Sequence, residues 1–382
     1  MKTRQSRNAY FAIFFVTGLS FGVIGPSLPL LANQLSVTLA EVGTLLIFYG
    51  AGYLTGTRLF VRGYDHGWGN RLVGAATLAS AVCFAAVSVG SSVAAVCVAF
   101  FVYGAAVSTS DVGCNTMIVW ELKEKSGPSL AFMHTMFGVG AIASPFLVRA
   151  ADNANGDAAL AYWVAAGVAA LAALFVFTRN SPRDPHVEVR QTHGDISRGQ
   201  IAMIVVFYFG YVAVEVVFAT WIYTYGTRVG LGKVEAALLN SLYWVGFMLG
   251  RLATVWLAGR DLGIRPIRIG AMVNVVACLA LLLRFDVVLL PLAFVYGLAT
   301  APQFPLMLAY IGNRIPLSGK MTSRIVGTAG LSSTTMPWLV GQLLERVDLW
   351  TYPVALMCCA LAVLGASRVI VAKLPSQLNS AA

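Results

Sequence analysis

Two acidic residues stand deep inside long apolar stretches of this sequence: Asp111 in SDVGCNTMIVW (110–120) and Glu215 in VAVEVVFATWIYTY (212–225). The rest of the 16 acids fall in connections or near predicted helix ends. A carboxylate held in hydrocarbon costs about 3 kcal/mol or more unless it faces a wet cavity, takes up a proton or finds a partner. Both are therefore candidates to line a polar site. On a helix, Asp111 and Asn115 share a face, and Ser108 lies one turn before Asp111 on the same side. Hydroxyl, carboxylate and amide together can bind a small cation or the hydroxyls of a solute, and the same groups would also serve hydrogen bonds between helices. His134, near the start of the next apolar stretch, completes a predicted ion-coupling set of Asp111, Asn115 and His134. A lone His in such a segment equally suits plain packing.

The stretch around Glu215 continues into Trp221, Tyr223 and Tyr225. Aromatic rings cover the apolar faces of sugars while acids and amides take the hydroxyls. Asn240, Tyr243 and Trp244 can share one face of the following helix. With Gln303 they extend the predicted substrate contacts to Asn115, Glu215, Trp221, Tyr225, Asn240, Tyr243, Trp244 and Gln303. Tyr225 would also fit an interfacial aromatic belt. A gating set follows from GVGAIASP (138–145) and GTAGLSSTTMPWLVG (327–341), where Gly138, Pro145 and Pro337 permit close approach and bending. Arg58, Asp65, Arg71, Arg251 and Asp261, near two connections, could bias conformations through ion pairs, or the arginines could simply mark topology. No metal site, cofactor or enzymatic activity is expected. The six cysteines all fall in apolar segments, and no Ser–Lys, Cys–His or metal-ligand spacing occurs in the spans.

These residues need elements that cross a membrane. Of 382 residues, 58% are hydrophobic and 11% charged, with a mean hydropathy of +0.77, more apolar surface than a water-soluble domain buries. Runs such as Leu72–Val89, Ala158–Phe177 and Ile269–Leu283 are long and nearly uncharged, as membrane-crossing helices must be, whereas barrel strands would alternate over about 10 residues. Hydropathy and breaker residues predict twelve helices at 8–33, 39–62, 70–89, 92–121, 127–150, 157–178, 199–228, 233–258, 264–284, 286–312, 319–345 and 350–373. The basic start Met1–Arg7 leads into Tyr10–Leu31, which reads as the first retained span and not as a cleaved signal. The net charge of +10 does not imply a nucleic-acid partner, because its basic residues cluster at alternate connections. Of the 26 Lys and Arg residues, 21 fall on the side of the N-terminus and 5 on the other. The positive-inside rule then predicts both termini in the cytoplasm. The compact loops suggest a bacterial inner membrane; the expected partners are a small-molecule substrate and the bilayer, and the expected state is a monomer.

The longest polar connection, RNSPRDPHVEVRQTHGDISRGQ (179–200), divides six predicted helices from six. The expected organisation is an N-terminal half 1–178, a cytoplasmic linker 179–198 and a C-terminal half 199–382. The halves echo each other: GYLTGTRLFVRGYDHG (52–67) and GFMLGRLATVWLAGRDLG (246–263) are both Gly-rich helix ends followed by Arg, Asp and Gly. Twelve helices in two pseudo-symmetric six-helix halves resemble the major facilitator superfamily. Four segments are similar to its fucose-permease-like branch, which includes sodium-dependent glucose transporters: GVIGPSLPLLANQLSVTLAEVGTLLIFYGAGYLTGT (22–57), DVGCNTMIVW with MHTMFGVGAIASPFLV (133–148), VAVEVVFATWIYTY, and APQFPLMLAY (301–310). The family's Asp-Arg-x-Gly-Arg loop is here DHGWGNR (65–71), leaving Asp65 and Arg71 as remnants, and the first helix lacks the acid that some proton-coupled fucose permeases carry.

The resemblance implies a secondary active transporter working by alternating access. Its expected cargo is a sugar or sugar-like compound, moved with H+ or Na+ as the coupling ion. A proton-coupled exporter of drugs or amphipathic lipids is the alternative, since the fold does both and two cavity acids would accept organic cations. A receptor or scaffold is not favoured, because it would use longer loops than these.

Overall fold

Backbone groups in hydrocarbon must satisfy each other, so the apolar runs can only be helices here. The computed structural model describes residues 2–59, 67–122, 126–182, 197–257, 264–283, 286–312, 314 and 319–373. These form fourteen helices: α1 Lys2–Leu35, α2 Leu39–Val42, α3 Leu45–Leu59, α4 Gly69–Val89, α5 Val93–Leu122, α6 Gly127–Asn155, α7 Ala159–Phe177, α8 Arg198–Arg228, α9 Lys233–Leu257, α10 Arg265–Leu282, α11 Asp286–Thr300, α12 Gln303–Gly312, α13 Gly319–Arg346 and α14 Thr351–Lys373. Counting α2 with α3 and α11 with α12, they make twelve passes. Asp65, Asp261 and most of the 179–198 linker lie outside the described residues.

Two spans expected to be continuous are interrupted. The second breaks at Gly43–Thr44, just after a Thr38–Glu41 capping box has started α2. The tenth breaks between Thr300 and Gln303, where Pro302 cannot donate to the helix ladder. Pro26, Pro29, Pro145 and Pro337 are instead held inside helices. A second capping box, Ser197 with Gln200, starts α8 and the second half.

Among the described residues, nine helical spans are long and apolar enough to cross a membrane by themselves. The passes that fall short are α2 with α3, α9 and α13. All of them meet the opposite half: α9 packs on α6, while α13 packs on α2 and α3. The second pass falls short because its break leaves two short helices; for α9 and α13, a helix covered by protein on one side needs less lipid-facing apolar surface, so the weaker hydropathy has a structural cause.

The packing repeats between halves. In the first, α1 pairs with α6, α3 with α5 and α4 with α7; in the second, α8 pairs with α13, α9 with α11 and α10 with α14. The agreement reaches single residues. A Cβ on Gly52 would strike the Phe101 carbonyl and one on Gly104 the Tyr49 carbonyl; Gly246 and Phe294, and Gly297 and Tyr243, repeat this in the second half. Likewise Ser144 Oγ donates to Leu19 O at 3.0 Å, and Ser332 Oγ to Phe209 O at 2.6 Å.

Polar contacts joining the halves run from mid-bundle to the end remote from the termini. Ser241 Oγ donates to Ile142 O at 2.9 Å, Gln342 Nε2 to Ala40 O at 2.6 Å, and Lys233 Nζ meets Asp152 Oδ2 at 2.5 Å.

Candidate functional site

The pairing of α3 with α5 brings Tyr53 to Asp111. Tyr53 Oη donates to Asp111 Oδ2 at 2.9 Å, and Asn115 Nδ2 donates to Asp111 Oδ1 at 2.9 Å, one helical turn on. Each carboxylate oxygen therefore has its own donor, an arrangement that holds a charged carboxylate in a fixed orientation. His134 comes from α6, its ring edge-on to Phe14 with centroids 5.1 Å apart, and lies within electrostatic reach of Asp111. Asp111, Asn115 and His134 thus gather at one place, the first two partly covered and His134 exposed. Ser108 does not join them: it is fully buried, donates to Ala105 O and abuts Gly56 of α3.

Across the space between the halves stands a second charged group. Arg251 of α9 donates to Tyr211 Oη at 3.3 Å and approaches Glu215 Oε2 at 4.0 Å. Tyr211 lies beside the Glu215 carboxylate, and the Arg251 guanidinium lies 5.0 Å over the Phe247 ring. Arg251 reaches His134 electrostatically, so an acid, a histidine, an arginine and a second acid follow one another from half to half. Arg251 was expected to act near a connection; the structure places it within α9, with its guanidinium turned toward Glu215.

Adjoining this charged path is a small central pocket, lined by Phe21, Gly25, Tyr49, Thr220, Trp244 and Pro337 among others, with no charged side chain in its lining. Trp244 holds ring contacts with Phe21 at 6.0 Å and Phe137 at 5.8 Å, and its buried Nε1 has no hydrogen-bond partner among the described residues. Its lining is mainly apolar and aromatic, with hydroxyls from Tyr49, Thr220 and Ser333, the chemical character of a small-molecule site.

The other predicted contacts are spent elsewhere. Trp221 Nε1 donates to Pro337 O at 2.8 Å and Tyr225 Oη to Leu281 O at 2.5 Å, both fully packed. Asn240 Nδ2 bonds Ala219 O, and Tyr243 Oη bonds Glu215 O. Gln303 faces α10, away from the pocket, donating to Asn274 Oδ1 at 2.8 Å and Ala299 O at 2.9 Å. Of the gating set, Gly138 abuts Met248 across the halves, Pro145 lies within α6, Pro337 lines the pocket, and Arg58 and Arg71 are exposed. Sequence reasoning missed Tyr53, Tyr211, Phe21 and Tyr49. The only signal was the i, i+4 spacing of Tyr49 and Tyr53 in a Gly-rich segment.

Residues 10–292 match the family model described as Major Facilitator Superfamily. Sodium-dependent glucose transporter 1A of Mus musculus is 24% identical over 390 residues, which cover 91% of each chain. Sodium-dependent glucose transporter 1 of Homo sapiens is 22% identical over 376 residues, covering 86% of this chain and 72% of that one. Among solved structures, a D-xylose-proton symporter superposes with a TM-score of 0.73 at 13% identity, covering 95% of this chain and 97% of that one. The nucleoside transporter NupG superposes at 0.70 and 13% identity, covering 97% and 98%.

Proposed function

The chain belongs to the Major Facilitator Superfamily, and within this family of multi-pass membrane transporters we propose that it carries a sugar or sugar-like solute in symport with H+ or Na+. The observation that carries the reading is the Asp111 carboxylate, held by Tyr53 and Asn115 beside an aromatic pocket that has no charged lining. An oriented carboxylate with neighbouring oxygens can coordinate sodium or take a proton, while the pocket covers an uncharged ring. The relatives named as sodium-dependent glucose transporters support the same cargo.

The halves on either side of the linker are the moving units, and the termini lie in the cytoplasm, as the distribution of basic residues supports. On this reading the polar contacts that join the halves at the remote end close the outward side. The experiment is uptake of labelled D-glucose and D-xylose into proteoliposomes under an imposed sodium or proton gradient. Accumulation above the external concentration is expected with one ion. Asp111→Asn should abolish accumulation and leave counterflow. Unchanged accumulation in that variant, or no hexose or pentose movement in the native protein, would sink the reading.

A further inference from the structure

We propose that Tyr53 transmits the state of the ion site to the solute site. Its phenol donates to Asp111 when the carboxylate is empty, and turns its O–H to the solute when Asp111 is loaded. The inference rests on the symport reading above and deepens it at the same site.

The two groups on Asp111 differ in kind. Asn115 Nδ2 is a donor only, whereas a phenol both donates and accepts. A proton arriving from water forms an O–H bond at Asp111 Oδ2, and that O–H donates to Tyr53 Oη. Tyr53 keeps its own proton, now released from the carboxylate. Sodium has the same effect, because it binds the oxygen lone pairs of carboxylate and phenol and turns the phenolic hydrogen away. The groups around this carboxylate are Tyr53 and Tyr49 from α3, Cys114 and Asn115 from α5 and His134 from α6, with Arg251 of α9 beyond His134.

Tyr53 stands one helical turn along α3 from Tyr49 of the pocket wall, which is where the proposal has the freed hydroxyl meet the solute. The Tyr53 ring lies 6.4 Å from that of Tyr49, which lines the pocket with Phe21 and Trp244, and Tyr53 is only partly covered. In so apolar a pocket one additional donor changes affinity by about tenfold.

The test measures binding of labelled D-glucose and D-xylose to purified protein in three conditions: alkaline without sodium, alkaline with sodium, and acidic without sodium. The sodium arm holds pH constant, so His134 does not change charge within it. The native protein should bind about tenfold more tightly when loaded. Tyr53→Phe should bind with the native unloaded affinity in all three conditions. Asp111→Asn, whose amide can donate to Tyr53 Oη as a loaded carboxyl does, should bind with the loaded affinity in all three; this arm leaves the tyrosine intact if the phenylalanine variant does not fold. Tyr53→Phe retaining the native ion response, or Asp111→Asn fixed at the unloaded affinity, overturns the proposal. A native protein that binds sugar without regard to either ion removes the symport reading itself, and the inference with it. Native coupling that survives in Tyr53→Phe removes the inference alone.

Discussion

Arg251 does for Glu215 what Tyr53 and Asn115 do for Asp111, but with a charge. Removing it leaves a carboxylate facing Tyr211 and the Tyr243 shell without its cation, whereas removing both partners takes away the imbalance. Arg251→Gln is therefore expected to reduce counterflow by on the order of tenfold, and Arg251→Gln with Glu215→Gln to recover part of the loss, as coupled residues do in a double-mutant cycle. Additive losses would mean that the two side chains act independently. Asp111 and Glu215 stood out in the sequence because charge in hydrocarbon is expensive and therefore rare. The Arg251 position was not legible, since an arginine near a predicted helix end reads as topology. Tyr53 was hidden for another reason: a tyrosine in an apolar run costs little, and its partner is 58 residues away on a different helix. Gln303 shows the converse, a polar residue that looked available but is used by Asn274 of α10.

At the scale of helices, periodicity and breakers made the twelve passes readable, and the repeated Gly-rich ends pointed to equivalent packing in the two halves. What they could not convey was how close the paired helices come. Gly104 lets α5 touch the Tyr49 carbonyl of α3, and Gly297 lets α11 touch the Tyr243 carbonyl of α9, so neither position has room for a methyl group. Gly167 of α7 has nothing near its missing Cβ. Gly104→Val and Gly297→Val should each destabilise the purified protein by about 1–3 kcal/mol, seen as a lower thermal midpoint, with Gly167→Val near neutral. Equal midpoints for all three would refute the close-packing account. The two helix breaks were also only half visible. Pro302 accounts for the one before α12, though the span was read as continuous, and nothing comparable marks Gly43–Thr44, where small residues let Trp221 of α8 approach the turn.

For the whole molecule, the contacts at the remote end decide which side the cavity opens to. Lys233 of α9 meets Asp152 of α6 across the halves, with Arg149 and Tyr223 close by, and Gln342 of α13 reaches the Ala40 carbonyl of α2. These bonds exist only while that end is closed, so they bias the equilibrium toward this conformer and need contribute nothing to substrate contact. Asp152 is nearly covered but Lys233 is largely exposed, so water screens the pair and limits its effect to about 0.5–1 kcal/mol, a roughly two- to fivefold shift between states. Asp152→Asn should therefore raise the open population without unfolding the protein. Spin labels on exposed Asn155 and Val347, one in each half, would show this as a longer-distance component that grows by that factor. Because sugar binding and opening are linked, the same variant should change the apparent affinity for sugar by a matching factor, in the direction set by which state binds more tightly. An unchanged distance distribution would mean that Gln342 and the packing of α13 on α2 and α3 hold that end closed without the ion pair.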